Sequence, residues 1–100
     1  TTRMQTALDT GPAATQMQQP LLISEFGPVG LRPEARPGGY EQLWNIIQAH
    51  RDRVLGGLAY VWTTAGPEPL DRNFGLTDAD GTPVDGSLDE LSSLFAASQP

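Results

Sequence analysis

The segment Leu21-Leu22-Ile23-Ser24-Glu25-Phe26 restricts what this 100-residue chain can become more than any other stretch of it. It is a short apolar run closed by Pro20 before it and Gly27-Pro28 after it. That length and those flanks predict a strand of a parallel sheet, buried with both faces covered. A carboxylate at the end of such a strand is costly unless it has a task or a partner. Glu25 is therefore the first residue to mark.

The surroundings of this strand predict its setting. Gly27 to Gly39 contains three Pro and four Gly and reads as a loop. Tyr40 to Val54 has helical spacing, with Tyr40, Leu43, Trp44, Ile47 and Val54 on one face. Gly56-Gly57 would end that helix, and Leu58 to Thr63, rich in aromatic and β-branched residues, predicts a second strand. A long segment from Thr64 to Gly86, dense in Gly, Pro and Asp, follows as a second loop. Ser87-Leu88-Asp89-Glu90 reads as a capping box that opens a final helix, with Leu88, Leu91, Leu94 and Phe95 as its apolar stripe. Before the first strand the chain is polar and mixed, with a helical turn or two expected over Ala13 to Gln19.

Strand, loop, helix, strand, loop, helix is an α/β order of two consecutive βα units. Two parallel strands cannot stand alone with both edges open. The expectation is an incomplete piece of a (β/α)8 barrel, whose sites are built from the loops after the strands. The first residues, Thr-Thr-Arg-Met-Gln, fit an interior cut or a processed start rather than a signal peptide.

Composition excludes several function classes. Twelve acidic against six basic residues give a net charge of −6 and a pI near 4.4, and no stretch clusters positive charge. Nucleic acid and anionic membrane surfaces are disfavoured as partners. With no cysteine there is no disulfide, thiolate nucleophile or Cys-based metal site. No apolar run approaches the ~20 residues of a membrane span. A chain this short buries a limited core, so its independent stability is marginal.

Three segments, in order, resemble a known group. Leu21 to Gly27 is similar to the seventh strand of clan A glycoside hydrolases, which closes on Glu in the form I-S-E-F/Y-G. Gly56-Gly57-Leu58-Ala59-Tyr60-Val61-Trp62 resembles the eighth strand, which ends in a Trp that floors the sugar site. Asn73-Phe74-Gly75-Leu76-Thr77-Asp78-Ala79-Asp80-Gly81-Thr82-Pro83 looks like the F-G-L-x-D-x-D-G-x-P segment before the last barrel helix. The clan commonly continues with Lys-Pro, where this chain has Val84-Asp85-Gly86. The matches span residues 21 to 95. On this resemblance, residues 1–20 are the end of a preceding barrel helix or loop, and residues 21–98 are the last two βα units of a TIM barrel.

The resemblance implies a retaining glycoside hydrolase or transglycosylase acting on β-linked, glucan-like polysaccharide, with no cofactor and no metal. Glu25 would be the nucleophile. Retaining chemistry needs such a carboxylate about 5–5.5 Å from a second carboxyl that protonates the leaving oxygen, and a strand end supplies the rigidity. The competing account of Glu25 is an ion pair with an Arg at the strand end. Trp62 would stack on a pyranose face, with packing between elements as its alternative. Tyr60, two residues earlier, would share the strand face and is either core or ligand. Glu68, Asp71 and Arg72 on the second loop, and Arg32 and Arg36 on the first, are either sugar contacts or solvated charges. His50 reads as a surface histidine near a helix end. Asp78, Asp80 and Asp85 do not match the calcium-loop template, and a tight turn at Asp80-Gly81 explains them better.

The acid/base Glu of the clan closes an earlier strand, and Glu34, Glu41, Glu68 and Glu90 hold no such position. The chain is thus expected to supply half of a two-carboxylate site. Its partners would be the carbohydrate and the rest of the barrel, and an extracellular or cell-envelope location follows by analogy. The alternative is a degenerate barrel remnant that binds carbohydrate through Trp62 without catalysis.

Overall fold

The computed structural model describes residues 2–10, 21–62 and 74–99. Its elements run α1 (Thr2–Thr10), β1 (Leu21–Phe26), α2 (Arg36–Ala49), β2 (Val54–Ala59) and α3 (Ser87–Ala97), an α/β order. β1 and β2 pair in parallel in a two-stranded sheet. Among the described residues no helix is long and apolar enough to cross a membrane. The turns expected over Ala13 to Gln19 lie outside the described residues; among the described residues α1 precedes β1, placing Leu8 in the core and packing Met4 against it.

α2 starts and stops earlier than Tyr40 to Val54. Pro37, Gly38 and Gly39 resemble helix breakers, yet they form its first turn, where a Pro has no N–H bond to lose. Gly39 has a second reason to be glycine. A Cβ there would lie 2.6 Å from Leu31 Cδ1 and 2.7 Å from Pro28 Cβ, so the preceding loop packs directly on the helix. The far end of α2 needs no glycine either. His50 caps it, and the N–H groups of Arg53 and Val54 both donate to His50 O, at 2.9 and 2.8 Å, turning the chain straight into β2. Gly56-Gly57 therefore belongs to β2, which begins at Val54 rather than Leu58 and ends at Ala59 rather than Thr63. Gly57 is small by necessity, since a Cβ would meet Ile47 Cδ1 and Phe26 Cδ1 at 2.9 Å each.

The face of α2 made by Tyr40, Leu43, Trp44 and Ile47 is buried as the spacing predicts. It joins Leu8, Phe26, Val54, Leu76 and Leu91 in one core. Phe26 lies nearly parallel to Trp44 at 6.0 Å and edge-on to Tyr40 at 6.1 Å, and Phe95 of α3 meets Trp44 edge-on at 4.8 Å. Among the described residues the sheet is covered on one side only, contrary to the strand buried on both faces. Leu22, Leu55 and Leu58 stand 57%, 75% and 59% exposed.

α3 is not opened by a capping box. Gly86 occupies the cap position, and Ser87 N donates to Asp85 Oδ1 at 2.8 Å, so Asp85 does the work assigned to Ser87 and Glu90. The other oxygen, Asp85 Oδ2, takes a 2.6 Å bond from Arg36 Nη1, and Arg36 Nη2 donates to Gly75 O at 2.8 Å. Both side chains are buried, 7% and 6% exposed. Removing one partner of a buried pair strands the other charge, at about 3–5 kcal/mol. We expect Arg36→Met to lower unfolding stability by that amount in urea titration, and Arg36→Met with Asp85→Asn, which removes the stranded charge but keeps the Oδ1 acceptor for Ser87 N, to recover part of it.

α1 is held at its C-terminal end by two cations. Arg53 Nη2 donates to Leu8 O at 2.7 Å. His50 donates from Nδ1 to Ile46 O at 2.8 Å and from Nε2 to Asp9 Oδ1 at 2.6 Å. Both ring nitrogens face acceptors, so only the imidazolium satisfies both. His50 is thus a tether rather than a free surface histidine. The bond to Ile46 O, then that to Asp9, raises its pKa from 6.5 against desolvation and the nearby Arg53. A raised folded-state pKa gives stability that is complete below the ordinary value and lost as pH rises through the folded one. Amide exchange in Thr2–Thr10, corrected for its intrinsic rate, should therefore show more protection near pH ~6 than near pH ~8. His50→Gln should abolish the difference.

Candidate active site at the strand ends

The pairing of the strands contains two irregularities, the second of which decides where Glu25 points. Leu21 and Leu22 pair with Val54 and Gly56, and Ile23 and Phe26 pair with Gly57 and Ala59. The second irregularity puts an extra residue into β1 around Ser24-Glu25, as a β-bulge does. Without it, strict alternation from Leu21 and Ile23 would turn Glu25 toward α2 and Phe26 away from it. With it, Phe26 enters the core and Glu25 is left exposed at the strand end.

Glu25, Phe26, Gly27, Tyr60 and Phe74 line a cleft of about 230 Å³ beyond the carboxyl ends of both strands. Gly27 allows this convergence, because a Cβ would stand 2.8 Å from Tyr60 O and 2.9 Å from Phe74 Cδ1. The rings of Tyr60 and Phe74 meet edge-on at 5.4 Å. Tyr40 hydroxyl lies beneath them, donating to Tyr60 O at 2.7 Å, with Phe74 O at 3.3 Å. Burial raises its pKa, which keeps the donor proton in place.

Two sequence candidates, Glu25 and Tyr60, meet in this cleft. Tyr60 reaches it from just past β2 rather than from within a strand, and the Tyr60–Val61 peptide is cis. Trp62 lies further along the same segment, 60% exposed and outside the lining of the cleft. Glu68, Asp71 and Arg72 lie outside the described residues. Arg36 is no sugar contact, since its guanidinium is buried on Asp85 and Gly75. Arg32 pairs with Glu34 on the surface at 3.1 Å. No Arg pairs with Glu25 among the described residues, and no hydrogen bond there engages its carboxylate. The strand-end carboxylate is therefore exposed, and the cost of burying it, which first drew attention to it, does not arise in this chain.

The described part of the second long loop is ordered rather than structureless. Leu76 N donates to Val61 O at 2.8 Å, and Thr77 and Pro83 form an antiparallel bridge. Asp78 Oδ1 accepts from Asp80 N and Thr82 N, and Asp80 Oδ1 from Thr82 N and Oγ1. Gly81 follows with φ +92°. This is the tight turn expected at Asp80-Gly81, and among the described residues no group of three potential metal ligands occurs. Phe74 was missed as a wall of the cleft, although it belongs to one of the three segments that carry the resemblance. Tyr40 was assigned to the core by its spacing, which says nothing of its hydroxyl.

Comparison with protein-family models, with curated proteins and with solved structures gave no match to this chain.

Proposed function

We propose that this chain is the last two βα units of a (β/α)8 barrel of a retaining glycoside hydrolase or transglycosylase acting on β-linked, glucan-like polysaccharide. The observation that carries the reading is the cleft at the strand ends, where Glu25 faces the same space as Tyr60 and Phe74. Barrel enzymes bind at that end of their strands. The uncovered side of the sheet, with Leu22, Leu55 and Leu58 exposed, supports further strands as partners of this segment.

Glu25 carboxylate attacks the anomeric carbon, forming a glycosyl ester as the glycosidic C–O bond breaks. The leaving oxygen takes its proton from a second carboxyl supplied outside this chain. Water or a sugar hydroxyl then attacks the same carbon, returns a proton to that carboxyl and frees Glu25. Tyr60 and Trp62 offer ring faces to the sugar, as indole and phenol rings do at low entropic cost. A non-catalytic binding remnant is the second reading, favoured by the exposed Trp62.

The test is covalent trapping in the protein that carries this segment. An activated 2-fluoro glycoside should label the peptide containing Glu25. A label elsewhere, or turnover without a label, sinks the assignment, and glycan binding without turnover selects the remnant. Glu25→Gln should reduce turnover on the order of 10³-fold or more. Because its carboxylate is exposed and holds nothing in place among the described residues, unfolding stability should change by less than about 0.5 kcal/mol.

A further inference from the structure

Two buried hydroxyls converge on the segment Tyr60–Trp62, and neither belongs to the residues assigned to the sugar or the nucleophile. Tyr40, fully buried, donates to Tyr60 O at 2.7 Å. Thr77, also fully buried, donates from Oγ1 to Trp62 O at 2.8 Å, and its backbone N–H donates to the same carbonyl at 2.8 Å. The rest of the segment is held as closely. Tyr60 N donates to Phe26 O at 2.8 Å, Val61 N to Phe74 O at 3.1 Å, and Leu76 N to Val61 O at 2.8 Å.

A segment past the end of a strand is thus fixed at all three of its carbonyls, while the ring it carries at Trp62 projects into solvent. Packing does not require the hydroxyls. Phe and Val fill nearly the volumes of Tyr40 and Thr77 without placing a polar atom in the core. What the hydroxyls add is direction: Tyr40 holds Tyr60 O, and Thr77 adds a second donor to Trp62 O beside its own backbone N–H, narrowing the orientation of that carbonyl and of the neighbouring Cα–Cβ vector.

We propose that Tyr40 and Thr77 are positioning residues that hold the Tyr60 and Trp62 rings as a preorganised stacking surface beside the Glu25 cleft. The occupant is the apolar face of a pyranose, and in this respect the inference rests on the carbohydrate reading. A ring immobilised before binding loses less freedom on binding, so the gain appears in affinity for the sugar.

The experiment uses the protein that carries this segment and the variants Tyr40→Phe, Thr77→Val and Thr77→Ser. Time-resolved fluorescence anisotropy follows the tryptophan signal that disappears in Trp62→Phe, and kinetics use a β-glucan oligosaccharide. Tyr40→Phe and Thr77→Val should enlarge the fast depolarisation of Trp62 and raise KM about tenfold, the effect of one buried hydrogen bond. kcat should stay within about twofold, as for loss of uniform binding. Thr77→Ser, which keeps the hydroxyl, should restore both readouts, a rescue that a loss of packing would not give. Unchanged depolarisation and KM in Thr77→Val, or Thr77→Ser behaving as Thr77→Val, overturns the proposal. If wild-type protein neither binds nor turns over the glycan, the carbohydrate reading fails, and the anisotropy still decides whether the hydroxyls position the ring.

Discussion

The Arg36 guanidinium joins three parts of the chain that are distant in sequence. It lies in the first turn of α2, binds the carboxylate that caps α3, and holds Gly75 O of the segment between them. Taking two ions out of water is costly, and attraction repays it only when the remaining donors and acceptors are also used. Here Asp85 divides its oxygens between Arg36 and Ser87 N, while Arg36 uses two nitrogens on two partners and leaves its buried Nε without one, so the condition is met only in part. The arrangement sets register more than it adds stability: α2 cannot slide against α3 without breaking both bonds. Tyr40, one turn beyond Arg36 on the same helix face, is thereby placed under Tyr60 and Phe74.

From that point the constraints pass to the strands by steric means. Ile47 of α2 presses on Gly57 and Phe26 presses on the same glycine, so sheet and helix approach as closely as glycine permits. Phe26 can fill that space only because β1 carries one residue too many before it. The same extra residue turns Glu25 toward the cleft. Core packing and the exposure of the carboxylate are two consequences of one irregularity, and Gly27, with no room for a Cβ, brings the chain out of it beneath Tyr60 O.

The sequence disclosed what repeats and concealed what is unique to the fold. Leu21 to Phe26 as a strand, the buried face of α2, the stripe of α3 and the Asp80-Gly81 turn all follow from local spacing or local turn chemistry. The element ends did not follow, because Pro37-Gly38-Gly39 and Gly56-Gly57 look like breaks when read locally, yet are close approaches between elements. Glycine at a contact and glycine at a terminus have the same letter. The Arg36–Asp85 pair spans 49 positions, and nothing in the neighbourhood of either residue announces the other. The cleft was half legible: Glu25 and Tyr60 were marked, while Phe74 and the hydroxyls of Tyr40 and Thr77 act through contacts that no period encodes. Glu68 and Arg72 fall outside the described residues, and the described part of the second loop contributes Phe74 to the cleft.

Shape and electrostatics are unevenly divided at this site. The described walls are firmly held: the backbone of Tyr60 to Trp62 is bonded, the rings of Tyr60 and Phe74 are in contact, and Gly27 is closed in. The carboxylate is not, for it stands in solvent with no donor or cation among the described residues. A nucleophile has to be ionised and yet partly desolvated, which requires donors in a site of low dielectric. Among the described arginines, Arg36 is committed to Asp85 and Arg32 to Glu34, while Arg53 donates to Leu8 O at the other end of the sheet, where β2 begins. On the proposed reading, further barrel strands facing the open side of the sheet would meet both demands at once. They would cover Leu22, Leu55 and Leu58, remove water from Glu25, and bring in the donors together with a second carboxyl at the about 5–5.5 Å that retention needs. The apolar surface that stands exposed in this segment would then be the surface that makes Glu25 reactive.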